Sequence, residues 1–184
     1  ELAYLKEKRY GPLPITLNTG FLFDTRSGEL KVDFADLKIY AAHFSLTGGF
    51  VFADTVSVDL SVEASNADMI FFRLWLSEKG LNNLNSGESY FSGNVKGQFN
   101  GQIPRMVFDF GMRNVNLDIP GVTSHISDLA LAGTFKSGIL PDFSDARLEI
   151  SKFSGQLPGG YVNGNLSMYD FTAPQVRMLW DLEA

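Results

Sequence analysis

The chain contains no cysteine. Disulfides, thiolate metal sites and cysteine nucleophiles are therefore excluded together. That absence leaves the compartment open between cytosol and bacterial periplasm, and it speaks against a small disulfide-stapled scaffold. Basic clusters are also missing. The densest stretch, Lys6-Glu7-Lys8-Arg9, is short and broken by a carboxylate, and the formal net charge is -6. No nucleic-acid partner is expected, because phosphate recognition needs a basic surface. No apolar run approaches the roughly 20 residues that cross a bilayer. The longest, Met69 to Leu76, is interrupted by Arg73. The chain opens on Glu1 with no signal-peptide pattern, so it is expected to be an excised part of a longer protein.

Catalytic patterns are absent too. Neither G-x-S-x-G, nor a Walker phosphate loop, nor H-E-x-x-H occurs. Of the 2 histidines, His43 lies beside a strand and His125 sits in Ser124-His125-Ile126-Ser127-Asp128. Neighbours on a strand face opposite ways, so Ser124 cannot meet His125, and Asp128 does not share the face of His125 and Ser127. The near pairs Asp33 with Asp36, Asp142 with Asp145 and Asp181 with Glu183 fit no calcium loop and read as solvated edges or turns. No catalytic residue, metal or cofactor is expected.

What remains is a pattern of alternation. Val56, Val58, Leu60, Val62 and Ala64 point one way, and Thr55, Ser57, Asp59, Ser61 and Glu63 the other, which makes a strand with one dry face. The 18 glycines and 16 phenylalanines suit an antiparallel β-protein with many turns. Turns are predicted at Asn18 to Gly20, Arg26 to Gly28, Gly48-Gly49, Asn100-Gly101, Pro120-Gly121, Lys136 to Gly138, Pro158 to Gly160 and Ala173-Pro174. One short helix is predicted over 66–79, from the capping-like spacing of Ser65 and Asp68 to the stop at Lys79-Gly80. A second short helix is predicted over 2–10, and Asn82 to Ser89 reads as a polar loop. The apolar parity slips by three at Phe34 to Leu37, Met112 to Val115, Ile126 to Leu129 and Ile150 to Phe153. Each slip implies a bulge or bend, so the fold class expected is mainly β: a curved antiparallel meander sheet forming a hydrophobic groove, in a single domain over 1–184.

The segment Ile126 to Gly138, and then Ala146 to Ala184, resembles the later part of the AsmA family of bacterial envelope proteins. Leu148 to Gly155, Pro158-Gly159-Gly160 and Gly164 to Pro174 with Val176 stand where that family has l-x-l-x-x-f-x-G, a Gly-rich hairpin and g-x-l-x-l-x-x-f-x-x-P-x-l. A strand, the short apolar stretch Asp68 to Leu76 and then Ser92 to Leu117 follow a similar order, and the likeness covers most of residues 30 to 184. The resemblance implies an elongated curved sheet with a hydrophobic inner face. It also implies a periplasmic setting, a parent anchored in the inner membrane, and a part in phospholipid transport or outer-membrane assembly. It carries over no catalytic residues.

Three functions follow as expectations. The first is a lipid-binding groove whose partners are acyl chains, lined by Val56, Val58, Leu60, Val62, Phe108 and Phe110, with Phe72 and Trp75 as plug or lid. The alternative is a structural or adhesive β-sandwich module without ligand, its dry faces packed sheet on sheet. The third is a carbohydrate-active enzyme stacking sugar on Tyr40, Tyr90, Tyr161 and Trp180, for which no activity is expected.

Overall fold

The structure is a computed structural model that describes residues 15–39, 42–68, 84–118 and 125–183. These residues form ten strands: β1 (Ile15–Asp24), β2 (Glu29–Ile39), β3 (Ala42–Phe52), β4 (Val56–Asp68), β5 (Leu84–Gln98), β6 (Arg105–Asp118), β7 (His125–Lys136), β8 (Arg147–Leu157), β9 (Gly160–Tyr169) and β10 (Gln175–Glu183). They make one antiparallel sheet in which spatial order is chain order, a meander that is open and weakly curved. β1 and β10 are its two edges.

The parity slips are bulges. Between β6 and β7, Met112 pairs with Leu131 and Val115 with Leu129, so Arg113 and Asn114 together oppose one residue. One step on, Leu117 pairs with Ile126, and the extra residue now lies in β7 at Ser127-Asp128. In β8 the pairs Ile150 with Leu166 and Phe153 with Gly164 bracket the third. A three-step without a bulge would turn every later side chain to the other face. With the bulge, the apolar set stays where it was. Asn114 (φ 53°) and Asp128 (φ 51°) take the left-handed conformation at two of these sites, which short polar side chains tolerate best. The slip predicted at Phe34 to Leu37 falls earlier, between Val32 and Ala35. Phe34 therefore leaves the apolar face and lies beside Gly20 on the opposite side.

Several turn and helix signals are overridden by pairing. Gly48-Gly49 does not make a hairpin; it lies inside β3. A side chain at Gly48 (φ 123°) would strike the Asp59 carbonyl on β4, and one at Gly49 would come within 2.6 Å of the Leu30 carbonyl on β2. These glycines admit neighbouring backbones rather than reverse the chain. Asn18 to Gly20 also runs straight through β1. The predicted helix over 66–79 is corrected at its start: Asn66, Ala67 and Asp68 belong to β4, with Ala67 opposite Ser89 and Asp68 opposite Glu88. Ladder pairing there wins over the capping signal. Leu84 to Ser89, read as part of a loop over Asn82 to Ser89, is likewise strand, with register shifts between Leu84 and Ser86 and between Ser86 and Glu88. Residues 69–79 and the helix expected over 2–10 lie outside the described residues, as does Pro120-Gly121.

The remaining turns form as their residues dictate. Pro158-Gly159 is a two-residue turn between paired Leu157 and Gly160, with Gly159 at φ 117°. The Asp24 carboxylate accepts the Arg26 amide at 2.8 Å. In the β7–β8 connection the Asp145 carboxylate accepts the Ile139 and Leu140 amides at 2.8 and 3.1 Å, and fully buried Ser137 accepts the Met106 amide at 3.0 Å. Among the described residues no helix is long and apolar enough to cross a membrane.

Candidate functional site

Residues directly opposite in a sheet share a face, so the register assigns every side chain. One row of pairs runs Ala35, Leu46, Val62, Gly93 and Phe108 across β2 to β6. It continues through Phe135, Leu148 and Met168 to Val176 on β10. The next row runs from Leu17 through Leu37, Phe44, Ala64, Phe91 and Phe110 to Gly133, Ile150, Leu166 and Met178. The rows are apolar or glycine throughout. Ten strands at a spacing of about 4.8 Å give this surface a length of about 43 Å.

Phe108 lies over Gly93, and Phe110 over Gly133, where an added Cβ would come within 2.7 Å of the ring. The missing side chains let these rings spread across the neighbouring strand. Phe91 and Phe108 stack at 5.2 Å between centroids, Phe108 and Phe135 at 6.3 Å, and Phe171 closes edge-on against Phe135 at 5.7 Å. Trp180 on β10 meets Phe153 edge-on at 5.5 Å.

No second layer of described residues covers this face. The buried part is small: Val58 and Ala64 on β4, and Val115 and Leu129 with Met112, Leu117, Ile126 and Phe153 against them. Toward the edges exposure is high, with Leu17 at 61%, Phe21 at 64%, Trp180 at 59% and Leu182 at 63%. A continuous exposed apolar surface of this kind marks an interaction site.

The other face is polar. Lys96 pairs with Asp59 across β4 and β5 at 2.6 Å, Arg113 with Glu88 across β5 and β6 at 2.7 Å, and Thr134 donates to Asp109 at 2.6 Å. Asp33 pairs with Lys31 at 2.9 Å; its hydrogen bond holds the lysine above its ordinary pKa, and its charge adds to the effect. These pairs are solvent-exposed, so water and salt screen them and they add little to stability. An open depression of about 640 Å³ on this side lies over Gly49, between Lys31, Asp59 and Lys96. His125 Nδ1 lies 2.8 Å from Asp118 Oδ1, and Asp128 is taken up by the bulge. Among the described residues no cluster of three or more His, Asp or Glu side chains suits a metal ion.

The structure places Val56, Val58, Leu60 and Val62 on β4 and Phe108 and Phe110 on β6, all on the apolar face with β5 between them. Val62 and Phe108 share one row; Phe110 lies in the next. Phe72 and Trp75 lie outside the described residues, as do Ser124 and Tyr40. Sequence reasoning passed over Leu46, Phe91, Phe135 and Met168, which stand in the same rows. Their alternation was legible; their alignment required the register. No protein-family model, no curated protein and no solved structure matches the chain.

Proposed function

We propose that this chain is a non-enzymatic lipid-handling module of the bacterial cell envelope, of the AsmA type. In this reading it sits in the periplasm as part of an inner-membrane-anchored parent, and it serves phospholipid transport or outer-membrane assembly. The observation that carries the reading is the apolar face, which stays in phase across all ten strands and is left uncovered by the described residues. An acyl chain fully buried in an apolar groove gains about 0.8 kcal/mol per methylene. On an open, one-sided face about half of that is realised, so about twelve methylenes contribute about 5 kcal/mol. A sandwich without ligand would need a second sheet, and the described strands all belong to one.

The test uses neighbours on opposite faces. Val62→Asp places a carboxylate in the apolar row; Ser61→Asp places the same group on the polar side. Gently extracted protein is expected to release lipid detectable by mass spectrometry and to bind a fluorescent acyl probe. Val62→Asp is expected to abolish both, and Ser61→Asp to retain both, with unchanged β-sheet circular dichroism. Lipid-free native protein that ignores the probe, or equal loss in both variants, removes the proposal.

A further inference from the structure

The polar face carries a basic band that no run of the sequence displays. The register sets Lys96 on β5 directly opposite Arg105 on β6, and Lys136 on β7 directly opposite Arg147 on β8. Val107 stands opposite Lys136, so Arg105, two residues earlier, is the diagonal neighbour of Lys136 at about 7 to 8 Å. Four cations therefore cross four successive strands over about 14 Å, in a chain whose formal net charge is -6. Like charges directly opposite each other destabilise a sheet. Asp59 opposite Lys96 and Glu88 opposite Arg113 show the ordinary arrangement on this face.

The outer two cations turn away from the band. Lys96 reaches back to Asp59 on β4 at 2.6 Å. Arg147 lies 4.6 Å over the Tyr169 ring on β9 and reaches Glu149 only at 3.5 Å. The inner two, Arg105 and Lys136, are exposed and have no ion-pair partner among the described residues. Neighbouring carboxylates are engaged elsewhere: Asp109 accepts the Thr134 hydroxyl, and Asp145 the Ile139 and Leu140 amides. The band lies at the end of the sheet whose connections, 25–28, 53–55, 99–104, 137–146 and 170–174, are all described, and none brings a carboxylate within ion-pair distance of either inner cation. A guanidinium, which donates in a planar fork, beside a compact ammonium matches a single phosphate group. Two cations are too few for a nucleic-acid backbone, which takes a longer series of such contacts. We infer that Arg105 and Lys136 bind the phosphate of a phosphomonoester, which supplies the negative charge that the fold itself does not place there. The site lies on the face opposite the apolar surface, so it stands or falls separately from acyl-chain binding.

Both cations are exposed, so the affinity expected for inorganic phosphate is modest, with a Kd of about 1 mM at low ionic strength that weakens as salt rises. Titration calorimetry on the whole chain measures it. Arg105→Gln and Lys136→Gln are each expected to weaken binding about fivefold or more. Lys31→Gln removes the same charge from the same face, on β2, and is expected to stay within about twofold of the parent. Flotation with phosphatidylcholine vesicles, with and without phosphatidic acid, identifies the source of the phosphate. Capture that requires phosphatidic acid and is lost in both variants assigns the site to a lipid headgroup; calorimetric binding without capture assigns it to a soluble phosphomonoester. Either result supports the inference. No binding of either probe, with inorganic phosphate raised to about 20 mM, overturns it. So does binding that persists in the double variant R105Q/K136Q, or equal weakening by Lys31→Gln, which would reduce the effect to net charge.

Discussion

The uneven packing of the apolar face makes a quantitative prediction. Val115 is 0% exposed and sits among Met112, Leu117, Leu129, Ile126 and Phe153. Val115→Ala removes two buried carbons, about 1.6 kcal/mol of transfer free energy, and the small void left behind raises the cost to about 2 to 3 kcal/mol. Leu17→Ala deletes three carbons from the same face at the β1 edge, where the side chain is 61% exposed. With about two-fifths of that surface buried, its cost is about 1 kcal/mol or less. Urea unfolding followed by circular dichroism separates the two. With a slope of about 2 kcal/mol per molar, Val115→Ala lowers the midpoint by about 1 M or more, and Leu17→Ala by about 0.5 M or less. The slope itself should not change. If Leu17→Ala costs as much as Val115→Ala, the edge of the face is covered in solution, and the description of an open apolar surface is wrong.

Other outcomes follow from backbone and charge. Asn114→Gly is expected to leave stability within about 0.5 kcal/mol, and Asn114→Val to cost about 1 to 2 kcal/mol, because a β-branched residue resists φ near 53°. Equal melting temperatures for the two would remove the bulge from the account. Gly159→Ala meets nothing within 4 Å and pays for backbone strain alone, about 1 kcal/mol; Gly48→Ala adds a clash with the β4 backbone and is expected to cost over 2 kcal/mol. A Gly48→Ala protein as stable as Gly159→Ala would show that β3 does not run straight there. Asp170 is held below the usual carboxylate pKa, first by the Thr172 hydroxyl and then by the Ala173 amide. Its folded pKa lies below its unfolded one. The stability it adds is therefore present above about pH 3.8 and is lost as pH falls from there through the folded value. Asp170→Ala should lower the melting temperature at pH 7 and narrow the gap to the parent below pH 3; a gap independent of pH refutes the assignment.

The sequence carried the strands more fully than their connections. Alternation marked β4, β6 and β9 because each has one wet side, and the steps of three at Met112, Ile126 and Ile150 announced bulges where the chain has them. Glycine was ambiguous. Pro158-Gly159 reverses the chain because proline presets the turn, whereas Gly48-Gly49 is fixed by carbonyls on two neighbouring strands, which local sequence does not display. Ser65 and Asp68 offered a helix start, but the facing strand, with Ser89 opposite Ala67 and Glu88 opposite Asp68, held the backbone extended. The candidate face was visible strand by strand. Its continuity was not, because which phenylalanine opposes which glycine depends on the sum of all bulges between them.

Since each strand bonds to the strands before and after it in sequence, the sheet is quasi-one-dimensional. Its unit of growth is the hairpin. Adding or losing one changes the span by about 10 Å and leaves the sidedness of every other strand intact. A protein built this way can be lengthened by duplication to bridge a wider gap without inventing a new core. Its folding can zip from any hairpin toward either end.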